Sequence, residues 1–344
     1  MFGHMICIRT LLHKPVLGCK RARIVRRHPN KQVTVPGHVR PKSSKGAIMI
    51  KVTVWGSRGS IPVSGSQFHR HGGSTTSIEI ELLDSTEQTP SRVLIDCGTG
   101  LTELGKNWGD RVPEALMLQT HMHWDHIQGF PFFGPLFNPA SQFELYAVPR
   151  DGQTFNEVLS QQMTKPTFPI GIDILPATLD FHSLPQNGQM QKGELTLSWV
   201  ELWHPSGSTA FRIDYKGASF VFTGDVEVQQ GCRSQLIEFA KDADVMIMDA
   251  QYFPEEYESR KGFGHSTPVD AVSVAKEAGI KHLYMTHHDP SHDDERLDEK
   301  LRFAQSLNND GLLTIHNTYD GLQIDVRPSN APRDADNSLI SATA

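Results

Sequence analysis

Alternating apolar and polar residues predict β-strands from about residue 50 onward. "IKVTVWG" places Val52 and Val54 on one face, and "TSIEIELL" and "RVLIDCG" continue the pattern between turn residues. The continuous apolar run "ALMLQT" is typical of a strand covered on both faces. Further strands are predicted at "FELYAV", "TLSWVELWH", "TAFRIDY", "ASFVFTGD", "VMIMDAQY" and "KHLYMTHH", and a closing hairpin at "LTIHN" and "GLQIDV".

Helical spacing of apolar residues alternates with these strands. "TFNEVLSQQM" carries four apolar residues at helical spacing, and helices are also predicted at "LTELGKNWG", "SQLIEFAKDA", residues 267–278 and "DERLDEKLRFAQSL". Two groups of strands interleaved with helices predict an α/β fold, a four-layer αββα sandwich, over residues 50–327. Residues 328–344 are polar, and we expect a disordered tail there.

Charge divides the 344-residue chain unevenly. Residues 1–49 contain eleven Lys and Arg and no Asp or Glu, whereas the remainder has 22 basic and 39 acidic residues. We expect residues 1–49 to be a disordered basic extension, and its place in the mature protein stays open. The acidic body makes nucleic acid an unfavourable partner. Four cysteines without pairing spacing favour the cytoplasm, and no apolar run is long enough to span a membrane.

Histidine and aspartate, residue types that commonly bind metal ions, recur where the predicted strands end. "HMHWDH" contains His121, His123, Asp125 and His126, and three later strands lead to His204, Asp225 and His287. An extended backbone would point His121 and His123 to the same side, while Asp125 and His126 follow a turn and are better placed to face a second ion, so two ions are expected. Imidazole and carboxylate ligands without thiolate suit Zn²⁺, with Mn²⁺ or Fe²⁺ as alternatives.

"HMHWDH" resembles the HxHxDH element of the metallo-β-lactamase superfamily, whose fold is the αββα sandwich. "LIDCGTG", "WHPSGS", "FTGD" and "MTHHD" accompany it in the family's order. The resemblance implies that His121, His123 and His204 hold one zinc ion, and that Asp125, His126 and His287 hold the other. Asp225 would bridge the two ions, and Asp96 would orient the cluster from outside.

The segment "GFGHSTPVDAVSVAKEAG" resembles an element of the superfamily's phosphodiesterase branch, which includes tRNA 3′-processing nucleases and cyclic-nucleotide phosphodiesterases. Other segments look like a bacterial subgroup similar to class II cyclic-AMP phosphodiesterases and PhnP-like hydrolases. The resemblance implies hydrolysis of small phosphodiesters, such as cyclic nucleotides, by a metal-bound hydroxide. His265 is the candidate proton donor and Asp249 its orienting carboxylate, and Asp125 joins them as a candidate catalytic residue.

Several other functions are left open. The same metals would serve a lactonase or another carboxylic-ester or amide hydrolase, although such an enzyme would not explain His265. A tRNA 3′-processing-like endonuclease would need a basic arm, and residues 130–193 contain only Arg150, Lys165 and Lys192 as basic residues. A non-catalytic binding module would be expected to lose at least one ligand. A homodimer is also left open.

Overall fold

The computed structural model describes residues 47–109, 114–309 and 311–328. The predicted basic extension, except for its last three residues, lies outside the described part of the chain. The same holds for the predicted tail beyond Pro328. Within the described ranges, no helix combines the length and the apolar character that a membrane crossing needs.

Strands make up most of the regular structure. In chain order they are β1 (Ile50–Gly56), β2 (Ser77–Leu82), β3 (Arg92–Ile95), β4 (Glu114–Gln119), β5 (Gln142–Ala147), β6 (Thr178–Ser183), β7 (Gly188–Lys192), β8 (Leu195–Leu202), β9 (Ser208–Tyr215), β10 (Ala218–Phe222), β11 (Val245–Asp249), β12 (His282–Thr286), β13 (Thr314–Asn317) and β14 (Leu322–Val326). The helices are α1 (Gly100–Trp108), α2 (Trp124–Ile127), α3 (Phe155–Gln162), α4 (Arg233–Ala240), α5 (Pro254–Tyr257), α6 (Pro268–Glu277) and α7 (Asp294–Ser306).

The strands form two mixed sheets of seven strands each. The first sheet has the order β14-β1-β2-β3-β4-β5-β6, and the second has the order β13-β12-β11-β10-β9-β8-β7. In the second sheet β10 to β13 run parallel, so their carboxyl ends reach the same edge. In the first sheet β3 to β6 are also parallel. Parallel strands need crossover connections, and α4, α6 and α7 provide them in the second sheet.

Three apolar clusters separate the layers. The largest lies between the sheets and joins residues such as Val52 and Ile80 of the first sheet to Phe211 and Phe220 of the second. A second cluster packs α4, α6 and α7 on the outer face of the second sheet. A third packs α1 and α3 on the outer face of the first sheet. The arrangement is the predicted four-layer αββα sandwich, and this prediction is confirmed.

The predicted closing hairpin is wrong. β13 pairs with β12 in the second sheet, whereas β14 pairs with β1 in the first. The connecting residues show the transfer, because the Thr318 amide donates to Met285 O and the Gly321 amide donates to Val54 O. Two short apolar strands around a turn have the same sequence pattern in either arrangement. The chain therefore crosses between the sheets where the pattern predicted a turn within one sheet.

Candidate metal centre

The metal-binding residues predicted from the sequence follow strands at one end of the two sheets. His121 comes two residues after β4, and His204 comes two residues after β8. Asp225 follows β10, and His287 directly follows β12. These residues, together with His123, Asp125 and His126, form two groups within which every ligand atom lies within 4.8 Å of the others.

The first group contains His121, His123 and His204. His204 Nε2 lies 3.2 Å from His123 Nδ1. The ring centroid of His121 lies 4.5 Å from that of His123 and 4.7 Å from that of His204. His121 and His204 are buried, whereas His123 is exposed. The centre therefore opens to solvent on the His123 side.

The second group contains Asp125, His126, Asp225 and His287, all buried. His126 Nε2 lies 3.3 Å from Asp125 Oδ2 and 3.2 Å from Asp225 Oδ2. His287 Nε2 lies 3.2 Å and 3.1 Å from the same two oxygens. Asp225 Oδ2 is also 3.6 Å from His121 Nε2, so this carboxylate lies between the two groups.

The donor atoms fit a pair of tetrahedral metal ions. Zinc ligands at about 2.0–2.1 Å from the ion would lie about 3.3 Å apart, which is close to the separations within the second group. His121 Nε2 is buried and has no hydrogen-bond partner among the described residues. A buried, unpaired ring nitrogen is costly unless it binds something. The residues present therefore suit the metal ions that the sequence implies.

Hydrogen bonds at the second ring nitrogen orient several of these imidazoles. His126 Nδ1 lies 2.7 Å from Asp96 Oδ2, which places Asp96 outside the cluster as expected. His204 Nδ1 donates to Gly264 O, and His287 Nδ1 donates to Gln251 Oε1 at 2.8 Å. Such partners fix the tautomer that leaves Nε2 available to a metal. Sequence reasoning missed Gln251, because an isolated glutamine after a strand carries no distinguishing pattern.

The electrostatics differ between the two groups. Burial holds the pKa of His121 well below its usual range and lowers that of His204 to about 4. Burial also opposes protonation of His287, but Asp225 and Asp125 outweigh it and raise its pKa to about 10. The first group therefore keeps neutral imidazoles with free lone pairs, and the carboxylate-rich group attracts positive charge. Neutral imidazole is the form that binds a metal ion, and in the second group a bound ion would displace the proton of His287.

His265 and Asp249 lie against the second group. His265 Nδ1 is 2.8 Å from Asp249 Oδ2, and the His265 ring stacks on His287 with centroids 4.7 Å apart. The capping box of Thr267 and Asp270 starts α6 directly after His265, which fixes the position of this residue. Because Nδ1 is bonded to Asp249, Nε2 is the nitrogen left to exchange a proton with a ligand. Tyr252, another residue that sequence reasoning missed, lies edge-on to the His265 ring.

Two residues of the site have a left-handed backbone. Asp96 has a φ of 61° and His287 has a φ of 59°, in a region that side chains other than glycine and asparagine rarely adopt. Residues held in such conformations cluster at functional sites, where the surrounding structure enforces them. Immediately after its strand, Asp96 thus reaches His126 Nδ1 and His287 reaches the two carboxylates of the second group.

A family model described as the beta-lactamase superfamily domain matches residues 91–288, more than half of the chain. The protein named "Probable metallo-hydrolase YhfI" of Bacillus subtilis is 28% identical over 226 residues, which cover 63% of this chain and 84% of that protein. Ribonuclease Z of Bacillus subtilis is 26% identical over 261 residues, which cover 62% of this chain and 82% of that enzyme.

Solved structures give the same fold. The crystal structure of YhfI from Bacillus subtilis superposes with a TM-score of 0.60 at 19% identity, covering 80% of this chain and 99% of that one. The structure of a diphosphatase from the PhnP family superposes with a TM-score of 0.55 at 19% identity, covering 80% of this chain and 97% of that one. At these identities the likeness shows a shared architecture.

Proposed function

We propose that this chain, which belongs to the metallo-β-lactamase superfamily and is a metal-dependent hydrolase, acts on small phosphodiesters such as cyclic nucleotides. It resembles the phosphodiesterase-like branch of the superfamily, in which the named relatives include Ribonuclease Z. The observation that carries the proposal is the pair of His265 and Asp249 beside the second group of ligands. Hydrolysis of a diester expels an alkoxide, and a positioned acid is what that step requires.

The proposal includes two zinc ions per chain, with Mn²⁺ or Fe²⁺ as alternatives. His121, His123 and His204 would hold one, Asp125, His126 and His287 the other, and Asp225 would contact both. When bound, such ions polarise a phosphoryl oxygen and lower the pKa of a coordinated water. The chain's own contribution is to orient these ligands, through Asp96 and Gln251, and to supply a proton at the leaving oxygen.

His265 is placed to supply that proton. Its Nδ1 is held by the buried Asp249 carboxylate, which stabilises the charged imidazolium and fixes the ring. Nε2 then donates to the oxygen that leaves phosphorus, and Asp249 offsets the positive charge before donation. Asp125 receives the Ser60 amide at 2.7 Å on the oxygen that also faces His287, so its direction in the cluster is fixed.

The basic residues in 130–193 favour a small substrate over tRNA, because most of them are paired with acidic side chains. Arg150 is buried and bonds Glu201 and Thr209, and Lys192 bonds Glu144. Among the described residues, Lys165 is the only one of the three that forms no ion pair with an acidic side chain, so this segment is poorly suited to binding RNA. Cys97 and Cys232 are free and buried, which supports the proposed cytoplasmic location. A homodimer remains part of the proposal to be tested.

The test is a substrate screen of the zinc-loaded protein, with 3′,5′- and 2′,3′-cyclic nucleotides, bis-p-nitrophenyl phosphate, a precursor tRNA and an acyl-homoserine lactone. Elemental analysis of the same protein should give about two zinc ions per chain. We expect turnover of the small diesters, and loss of that turnover in His123→Ala. Cleavage of the lactone or the tRNA alone would refute the proposal, and so would undiminished turnover by His123→Ala.

A further inference from the structure

Three large exposed apolar side chains adjoin, along the chain, residues of the candidate metal centre or residues that hold it. Trp124 is 77% exposed, Phe263 is 59% exposed and Ile61 is 56% exposed. We call these three residues the apolar rim. Exposed single apolar residues are common on proteins, but tryptophan is highly buried on average and is enriched at interfaces. The question is what covers them in the working protein.

Trp124 lies between two candidate metal ligands in the chain. His123 precedes it and Asp125 follows it, and neighbouring α-carbons are only about 3.8 Å apart. His123 is also the exposed ligand, so the indole stands where the centre meets solvent. Trp124 is the first residue of α2, and this helix sets its direction together with those of the adjacent ligands.

Phe263 and Ile61 adjoin the centre along the chain in two other segments. Phe263 is followed by Gly264, whose carbonyl accepts from His204, and then by His265. Ile61 follows Ser60, whose amide donates to Asp125 Oδ2. Each of the three residues is therefore one position from a residue that belongs to the centre or holds it. Three separate segments thus carry an exposed apolar residue directly beside the residues that form or hold the centre.

We propose that the apolar rim binds the aromatic base of a nucleotide diester, on the substituent that stays attached to phosphorus. This inference rests on the proposed function and names the substrate class more closely. A base offers a flat apolar face that stacks on tryptophan and phenylalanine regardless of its identity. The phosphate would lie at the metal ligands, one residue away from Trp124, which matches the short distance between base and phosphate in a nucleotide.

A partner protein or a second copy is a weaker occupant. Trp124 of the apolar rim adjoins the exposed candidate ligand His123, so a permanent cover over it would obstruct access to the ligands. A long nucleic acid is also disfavoured, since residues 50–344 carry 22 basic and 39 acidic residues. A small ligand with one apolar ring and one phosphate satisfies both conditions.

The kinetic test uses two substrates with the same leaving group, thymidine 5′-(p-nitrophenyl) phosphate and methyl p-nitrophenyl phosphate. They differ only in the substituent that is retained. We expect the wild-type protein to prefer the thymidine ester in kcat/KM, and Trp124→Ala to reduce this preference roughly 5- to 100-fold, mainly through KM. Trp124→Phe should restore part of it, and Phe263→Ala should reduce it independently.

Leu312→Ala is the matched control, because Leu312 is 82% exposed but lies before β13, at the opposite end of the second sheet. The Leu312→Ala variant should show the same kcat/KM preference for the thymidine ester as the wild-type protein. If Trp124→Ala keeps the full preference, the inference is wrong, whereas the proposed function stands as long as both esters are hydrolysed. The inference is equally wrong if Trp124→Ala instead converts a dimer into a monomer in sedimentation.

A binding measurement separates the inference from the proposed function. Adenosine 5′-monophosphate should quench the tryptophan fluorescence of the full chain, since Trp124 is the most exposed of the described tryptophans. In Trp124→Phe this quenching should disappear. If the protein hydrolyses no phosphodiester, the proposed function fails, and the quenching still decides whether the apolar rim binds a base. Unchanged quenching in Trp124→Phe would overturn the inference.

Discussion

His287 shows how much a single residue of this site depends on its surroundings. Its backbone has a left-handed φ of 59°, its Nδ1 bonds Gln251, and its ring stacks on His265. A conformation of this kind costs on the order of 1–3 kcal/mol unless neighbours enforce it. The hydrogen bond from Nδ1 to Gln251 and the stacking on His265 therefore hold the imidazole in the orientation that metal binding requires.

His265→Ala should impair substrates with poor leaving groups far more than nitrophenyl esters. A cyclic nucleotide expels an alkoxide that needs a proton, and we expect its turnover to fall about 10²-fold or more. Nitrophenolate leaves without help, so bis-p-nitrophenyl phosphate should lose much less. Rates of both substrates, compared at equal zinc content, provide the measurement.

Asp249→Asn is the companion variant for this role. Because Asp249 acts through His265, it should show the same dependence on the leaving group, and it should add little to His265→Ala in the double variant. Equal losses on both classes of substrate would argue against proton donation by His265.

At the level of single residues, the sequence indicated most of the candidate site. The seven proposed ligands, Asp96, Asp249 and His265 were all named from motifs and strand ends, and the structure brings them together. Gln251 and Tyr252 could not be found in this way. The role of Gln251 depends on β11 and β12 being neighbours, and that of Tyr252 on how the chain returns at His265, neither of which the amino-acid pattern records.

At the level of elements, the loop between α5 and α6 is fastened to the body by one carboxylate. Glu227, which is fully buried, accepts from the amides of Gly262 and Gly264 and from the Tyr257 hydroxyl. The carbonyl oxygen of Gly264 in turn accepts a hydrogen bond from His204 Nδ1. The position of this loop therefore determines the orientation of the candidate metal ligand His204.

Gly264→Ala should displace His204, and Gly262→Ala should not. Both glycines have positive φ, but a β-carbon at Gly264 would lie 2.0 Å from His204 Nδ1, whereas nothing lies within 4 Å at Gly262. Both variants therefore bear similar backbone strain, of about 1 kcal/mol. We expect only Gly264→Ala to lose zinc and activity, measured by elemental analysis and diester hydrolysis. Equal zinc content in the two variants would contradict this role of the loop.

Helix α7 supports the site from behind through a buried lysine. Lys300 is fully buried and donates to Ala250 O and Gln251 O, the residues that follow β11. Burial lowers its pKa to about 7, although the carboxylates of Glu256 and Asp289 partly oppose the shift. The amine therefore holds the Gln251 backbone while its charge is easily lost.

Replacement of Lys300 by Met should remove a pH dependence of stability. Unfolded lysine titrates near 10.5, so between pH 7 and that value the unfolded chain binds more protons than the folded one. The free energy of unfolding should thus rise with pH in the wild-type protein relative to Lys300→Met, by up to about 1.4 kcal/mol per pH unit. Below pH 7 the difference should be constant. Urea unfolding between pH 6 and 9.5 provides the measurement, and parallel curves would refute it.

The elements that the sequence missed share a physical reason. β6 ("TLDFHS") and β7 ("GQMQK") are edge strands with mostly half-buried or exposed side chains, so they lack a clear apolar alternation. The central strands were predicted because one or both of their faces are fully buried. The closing hairpin failed for a different reason, since a local pattern cannot tell which sheet a strand joins.

At the level of the whole molecule, the metal centre joins the two sheets. The "HMHWDH" segment follows β4 of the first sheet, whereas His204, Asp225 and His287 follow strands of the second. Ions held by both would add a link at one end of the sandwich, beyond the apolar core between the sheets. Binding to the folded state alone stabilises it by mass action.

Removal of the metal should therefore lower the melting temperature. With free zinc at about 100 times its dissociation constant, binding contributes about 2.7 kcal/mol, and chelation should lower the Tm by at least about 5 °C. Calorimetry before and after chelation, with zinc content measured in each sample, provides the test. His123→Ala should respond less, because its first group has lost a ligand. An unchanged Tm after complete zinc removal would show that the ions do not link the sheets.

The pairing of β1 with β14 brings the two ends of the described fold together. The Met49 amide donates to Val326 O, and Ile50 lies opposite Val326 in the register. The strand β1 starts at this corner and runs toward the metal ligands, so the corner lies at the far end of the sheet. A short peptide could therefore join residue 326 to residue 50, and the chain could be reopened at a surface turn. Such a circular permutant, lacking residues 1–49 and 327–344, would retain the contacts at the end that carries the candidate metal ligands.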